Sequence, residues 1–146
     1  MAKKIKSVIT VVIGPLAAGK STYCRKLAQE RGKSYSGVEM IPELDTSEPD
    51  CWNEVLEYAE WKNVNVIETH IDYGREESID DHEGRGFPWK IPKPPENLKF
   101  VAILPEPKEL IRRYKTRDSY YEMEDAVNDL SWYSDIAKQL GAKIVK

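Results

Sequence analysis

Apolar residues in this chain fall into short, nearly unbroken runs that alternate with stretches of helical spacing. Ser7 to Ile13 (SVITVVI) is β-branched and almost wholly apolar, the composition of a strand buried on both faces. Lys20 to Arg31 then places Tyr23, Cys24, Leu27 and Ala28 on one helical face, with Gly32 positioned to end the helix. Val38 to Pro42 (VEMIP) reads as a short second strand. Asp50 to Lys62 reads as a helix, with Ser47 or Asp50 near its start and Cys51, Val55, Leu56 and Ala59 toward a core. Val64 to Glu68 (VNVIE) is a third strand and Leu98 to Leu104 (LKFVAIL) a fourth. Pro107 opens a helix reaching to about Arg117. Ser119 to Glu122 has the capping-box pattern and starts the next helix. Along it Met123, Ala126, Val127, Leu130, Ser134, Ala137 and Leu140 keep helical spacing. Gly141 ends it, and Ala142 to Val145 forms a last short strand.

Strands that alternate with helices predict an α/β chain: a central parallel sheet of about five strands, flanked by helices on both faces. The length, 146 residues, suits a single domain, 1–146. One stretch breaks the alternation. Ile71 to Asn97 has little apolar periodicity, closely spaced glycines, and prolines at Pro88, Pro92, Pro94 and Pro95. Loops of that length in a compact domain are usually lids or binding segments, or else disordered. A short charged helix at Arg75 to Glu83 would fit within it.

Composition narrows the function classes. The net charge of −3 gives no overall basic character for wrapping a nucleic acid. The longest apolar run, Val8 to Ile13, is far too short to span a membrane. The basic-then-apolar start has the look of a secretory leader. Its apolar part, however, runs straight into a glycine loop, with no separate small-residue cleavage site. Cys24 and Cys51 stand apart from any CxxC pair and read as reduced thiols in a cytoplasmic protein. They share no metal-ligand spacing with His70 or His82.

The loop after the first strand carries the sharpest chemistry. Gly14-Pro-Leu-Ala-Ala-Gly19-Lys20-Ser21 matches GxxxxGK[ST], the P-loop (Walker A) pattern, between a buried strand and a helix. Glycines let the backbone curl so that N–H groups converge at a helix N-terminus, where partial positive charge favours phosphate. Gly14, Ala17, Ala18, Gly19, Lys20, Ser21 and Thr22 are the expected nucleotide-binding residues. Lys20 is expected at the β- and γ-phosphates, and Ser21 on Mg²⁺. ATP·Mg²⁺ is the implied ligand. The chain lacks the NKxD guanine signal of a GTPase, and its third strand ends in Glu68 instead of a motor ATPase's Asp.

Acids and arginines follow in an order that suits phosphoryl transfer. Ligands of open parallel sheets bind beyond the carboxyl ends of the strands. Glu43 or Asp45, after the second strand, would face an acceptor hydroxyl as a base. Glu68 would hold Mg²⁺ through water, opposite Ser21. Arg113 and Arg117 share a helix face one turn apart. With Arg112, they are candidates for stabilising charge on a transferring phosphoryl group.

These residues resemble the nucleoside and nucleotide kinases of the P-loop class, especially deoxynucleoside kinases. Ile41-Pro42-Glu43-Leu44 is similar to that family's P-E-P-V-like motif, with Trp52 downstream. Glu68-Thr69-His70 stands where the family has E-R-S or D-R-S, followed by Tyr73 and Arg75. Pro105, Pro107, Arg112, Arg113 and Arg117 look like the helix and lid arginines. The resemblance implies a P-loop NTPase fold, Glu43 as base, Glu68 as a magnesium-side acid, the arginines as lid residues, and a nucleoside or nucleotide acceptor. Thr69 departs from the family's arginine, and the Pro/Gly-rich stretch replaces much of its substrate pocket, where Phe87 and Trp89 are candidate base-stacking residues. Two other readings stand beside the small-molecule kinase. One is a polynucleotide or DNA-base kinase using Arg85, Lys90, Lys93 and Lys99. The other is a nucleotide-binding module without catalysis. Oligomeric state is not legible.

Overall fold

A computed structural model describes residues 8–15, 18–32, 37–46, 48–72, 90–115 and 123–146; the side chains of Pro42, Glu43, Asp72, Tyr114, Lys115 and residues 123–129 lie outside that description. Among the described residues, nine elements follow one another: β1 (Ile9–Ile13), α1 (Lys20–Arg31), β2 (Val38–Asp45), α2 (Cys51–Lys62), β3 (Val66–Asp72), β4 (Leu98–Ile103), α3 (Pro107–Lys115), α4 (Met123–Leu140) and β5 (Lys143–Val145). The five strands form one sheet in the order β2-β3-β1-β4-β5. Every pairing is parallel.

This order dictates the layers. From β1 the chain crosses over β3 to reach β2, and from β2 it steps back the other way to β3. Parallel crossovers are right-handed, so reversing direction puts the connecting helices on opposite faces. The core divides accordingly. Ile9, Val11 and Ile13 of β1 join Ile67 and Ile71 of β3 and Phe100 and Ala102 of β4 on one face. There they meet Trp52, Val55 and Ala59 of α2 and Trp132, Tyr133, Ile136 and Ala137 of α4. Val12, Val66, Val101 and Ile103 point the other way, onto Cys24, Tyr23 and Leu27 of α1. β1 is buried along its whole length, as its unbroken apolar run requires.

Two strands run further than the apolar pattern indicated. β2 passes through Pro42 and Glu43 to Asp45. Its register shifts between Ile41 and Leu44. β2 is an edge strand, so a proline lacking its N–H is accommodated at such an irregularity. β3 starts at Val66 and continues to Asp72, so Glu68 lies within the strand and not at its end. The stretch expected as one long loop is anchored at its later end. The Trp52 indole N–H donates to the Pro92 carbonyl at 2.7 Å, and the Ile91 N–H to Gln139 Oε1 at 2.8 Å. Tyr73, the Arg75–Glu83 helix, Phe87 and Trp89 lie outside the described residues.

Candidate functional site

The sheet order creates one crevice. β1 and β3 are neighbours, yet the chain leaves β1 toward β2 and leaves β3 toward β4. The carboxyl ends of two such strands are the switch point at which open α/β sheets bind ligands. The Gly14–Ser21 loop leaves the end of β1, and Glu68 stands on β3 opposite Val12 of β1.

Gly14 adopts φ +156°, and a Cβ there would lie 2.6 Å from the backbone carbonyl oxygen of Ile103 in β4. Only glycine lets the loop leave β1 so close to its neighbour. The chain turns with the Ala18 N–H donating to the Pro15 carbonyl at 3.2 Å. Gly19 then takes φ +97°, the left-handed region, as the N-cap of α1. α1 begins with no side-chain cap and no acid in its first turn, so nothing acidic on the helix offsets its positive end. Lys20, half-buried, folds back to donate to the Gly14 carbonyl at 2.8 Å. Ala18 is buried, Thr22 is exposed, and Ala17 lies outside the described residues.

Across the crevice, the Ser21 hydroxyl sits 3.1 Å from both carboxylate oxygens of Glu68. An alcohol beside a carboxylate is a pair of hard oxygen donors, the kind of set Mg²⁺ takes alongside phosphate oxygens and water. Among the described residues, no group of three or more His, Cys, Asp or Glu side chains gathers into an all-protein metal cage. Behind Ser21 on α1, burial pushes the Cys24 thiol up to about 12, and the Glu68 charge adds to this while Lys20 opposes it. That thiol is buried and protonated at neutral pH, and it packs beneath the loop as an apolar group.

The arginines separate. Arg113 donates through Nη1 to the Ala18 carbonyl at 2.5 Å, and through Nε to Glu109 at 3.0 Å. Arg112 turns outward: its side chain is 68% exposed and its guanidinium is spent on Glu109. The structure therefore does not bring Arg112 to the loop, because neighbouring residues on α3 project about 100° apart around the helix. Arg117 lies outside the described residues. The two arginines hold the Glu109 carboxyl down at about 2.

Asp45 ends β2, half-buried and opposite Asp72 of β3. β2 lies two strands from β1, a lateral separation of about 10 Å. Glu43 precedes Asp45 on the same strand, and its side chain is outside the description. Lys99 is paired with Thr10 at the amino-terminal end of β4, the end of the sheet away from the glycine loop. Lys90 and Lys93 are exposed, and Arg85 lies outside the described residues.

Thr69 shares its strand parity with Ile67 and Ile71 and is 1% exposed, so packing claims the position where the resemblance expects an arginine. His70 takes the other parity and contacts Tyr133, whose hydroxyl lies 2.9 Å from His70 Nδ1. The same hydroxyl accepts the Ile71 N–H at 3.1 Å. Sequence reasoning missed Tyr133. Its signal was a place on α4 one turn before Ala137, on the face already marked as apolar.

No family model matches the sequence, and neither does any curated protein. Among solved structures, the chain is similar to a deoxyadenosine kinase from M. mycoides with bound dATP. The TM-score is 0.49 and the identity 13%, over 95% of this chain and 91% of that one. The all-parallel sheet order, the helices on both faces and the glycine loop between β1 and α1 are the arrangement of an α/β P-loop NTPase fold.

Proposed function

We propose that this chain is a kinase: it binds ATP·Mg²⁺ and transfers the γ-phosphoryl group to a hydroxyl or phosphate of a nucleoside or nucleotide. The observation that carries this reading is the convergence of Lys20, Ser21 and Glu68 on one loop at the switch point of the sheet. Lys20 exchanges the Gly14 carbonyl for phosphate oxygens and neutralises them. Ser21, directly, and Glu68, through water, would hold magnesium, and the ion would supply neutralisation of phosphate charge. In the transfer, the acceptor oxygen forms the new bond to γ-phosphorus while the bond to the β–γ bridging oxygen breaks and ADP leaves. A carboxylate at the carboxyl end of β2, Glu43 or Asp45, takes the proton of an acceptor hydroxyl. The 10 Å or so between β2 and β1 leaves room for an acceptor between that acid and the loop.

The test is transfer of label from ATP·Mg²⁺ to a panel of nucleosides, nucleoside monophosphates, and DNA and RNA with free 5′-hydroxyls. Lys20→Ala serves as the control. Label moving to a nucleoside or its monophosphate, and lost in the control, supports the reading. Label moving to nucleic acid alone would move the acceptor class. Binding of ATP with no transfer to any acceptor would reduce the protein to a nucleotide-binding module.

A further inference from the structure

Arg113 is held at both sides of its guanidinium. Nη1 donates to the Ala18 carbonyl and Nε to Glu109, one turn earlier on α3. Its side chain is 35% exposed, about half the exposure of its neighbour Arg112. Space for it comes from Gly19: a Cβ at that position would lie 3.0 Å from Nη1 and 3.8 Å from Cζ. The contact joins residues 95 positions apart, tying α3 to the glycine loop.

The peptide between Ala18 and Gly19 is planar and trans. Its carbonyl and N–H therefore point in opposite directions. A cation that fixes the Ala18 carbonyl on the outside of the loop also fixes the Gly19 N–H on the other side. A planar guanidinium gripped by a carboxylate is well suited to that task, since its orientation is set before any ligand arrives. Glu109 keeps its charge across the neutral range, because both arginines stabilise the carboxylate.

We propose that Arg113 is a positioning residue of the glycine loop, braced by Glu109, and that it sets affinity for the phosphates ADP and ATP share instead of reaching for the transferred phosphoryl group. This rests on the reading of Gly14–Ser21 as the nucleotide loop.

The experiment is calorimetric titration of ADP·Mg²⁺ and ATP·Mg²⁺ into wild type, Arg113→Ala, Arg113→Lys and Glu109→Gln. Lys108→Ala, an exposed residue of α3, is the control. Loss of one charge-assisted hydrogen bond predicts that Arg113→Ala weakens both nucleotides by the same factor, about tenfold. Arg113→Lys recovers part of the loss for both. Glu109→Gln weakens both by less, and Lys108→Ala changes neither. The partial recovery by lysine separates positioning from simple structural damage, and the lysine and glutamine variants carry the test if the alanine variant does not fold. Unchanged ADP affinity in Arg113→Ala with weakened ATP binding would overturn the proposal in favour of a γ-phosphate arm. Unchanged affinity for both would overturn it outright. Failure of wild type to bind either nucleotide would instead remove the kinase reading beneath it.

Discussion

Replacing Gly14 by alanine tests how the loop leaves the sheet. The new Cβ would sit 2.6 Å from the Ile103 carbonyl oxygen and 3.5 Å from the Ala18 Cβ. A carbon–oxygen contact relaxes only at about 3.3 Å, so a shift of roughly 0.7 Å is required. The obstacle is backbone. Ile13 pairs with Ala102 on β4, and the Leu104 N–H is tied to the Val145 carbonyl at 2.7 Å, so Ile103 is held on both sides. Forcing that shift costs about 1–3 kcal/mol. Holding a non-glycine residue at φ +156° adds about 1–2 kcal/mol. The sum, about 2–5 kcal/mol, corresponds to a fall in Tm of roughly 4–20 °C for a chain near this size. Gly19→Ala is the internal comparison. It faces only the end of the Arg113 side chain, which can swing away, so its cost is confined to about 1–2 kcal/mol of backbone strain. Thermal melts followed by circular dichroism, without nucleotide, should place Gly14→Ala below Gly19→Ala. A Gly14→Ala protein that melts at or above Gly19→Ala would refute the close-approach argument. In the same pair, Gly19→Ala should weaken ADP binding much as Arg113→Ala does, because a methyl there displaces the guanidinium.

Three further outcomes follow from single contacts. Tyr133→Phe removes the acceptor of the buried Ile71 N–H and should destabilise the protein by about 1–3 kcal/mol in urea unfolding; an unchanged midpoint would show that the hydroxyl does not matter to the fold. Glu68→Gln keeps the shape beside Ser21 but loses the charge, so the Mg²⁺ concentration for half-maximal ATP binding should rise about tenfold while binding at saturating Mg²⁺ is largely kept; equal Mg²⁺ dependence would take Glu68 out of the metal site. Burial pushes Cys24 up to about 12 and Cys51 up to about 11, from the ordinary thiol value of 9.0. The folded state therefore retains protons that the unfolded state loses. Stability from these groups is fully present below pH 9 and declines as pH rises toward 11 and 12. Urea midpoints should fall over that range, and less so in Cys24→Ala; midpoints flat from pH 8 to 10.5 would contradict the assignment.

How much of this was legible in the chain depended on whether a residue's neighbours were local. α1 was readable to the residue, because its apolar face and Gly32 lie within one continuous stretch. β3 was misplaced by several residues. Beyond Glu68 the strand continues through Thr69, His70, Ile71 and Asp72, of which only Ile71 is apolar, so no apolar run marks its later half. β2 appeared to stop at Pro42 because a proline ends an interior strand, and only the sheet order shows that β2 is an edge. Trp52, singled out by resemblance, packs edge-to-face on Phe100 at 5.2 Å inside the larger core. On α4, spacing marked Leu130, Ser134 and Ala137. The buried arc is wider, and includes Trp132, Tyr133 and Ile136, because the helix packs on both β4 and α3. Ser21 and Glu68 were paired in advance, since a P-loop predicts an acid on the adjacent strand. The contrast between Arg112 and Arg113 was not legible. It depends on which residue of α3 meets Ala18 across the fold, and helical spacing alone does not set that rotation.

The most direct measurement is calorimetric titration of ATP·Mg²⁺ into wild-type protein and into Lys20→Ala. The kinase account predicts a single site per chain in wild type, weakened at least about tenfold when the lysine charge is lost. No binding by wild type, or equal affinity in the two proteins, would contradict it.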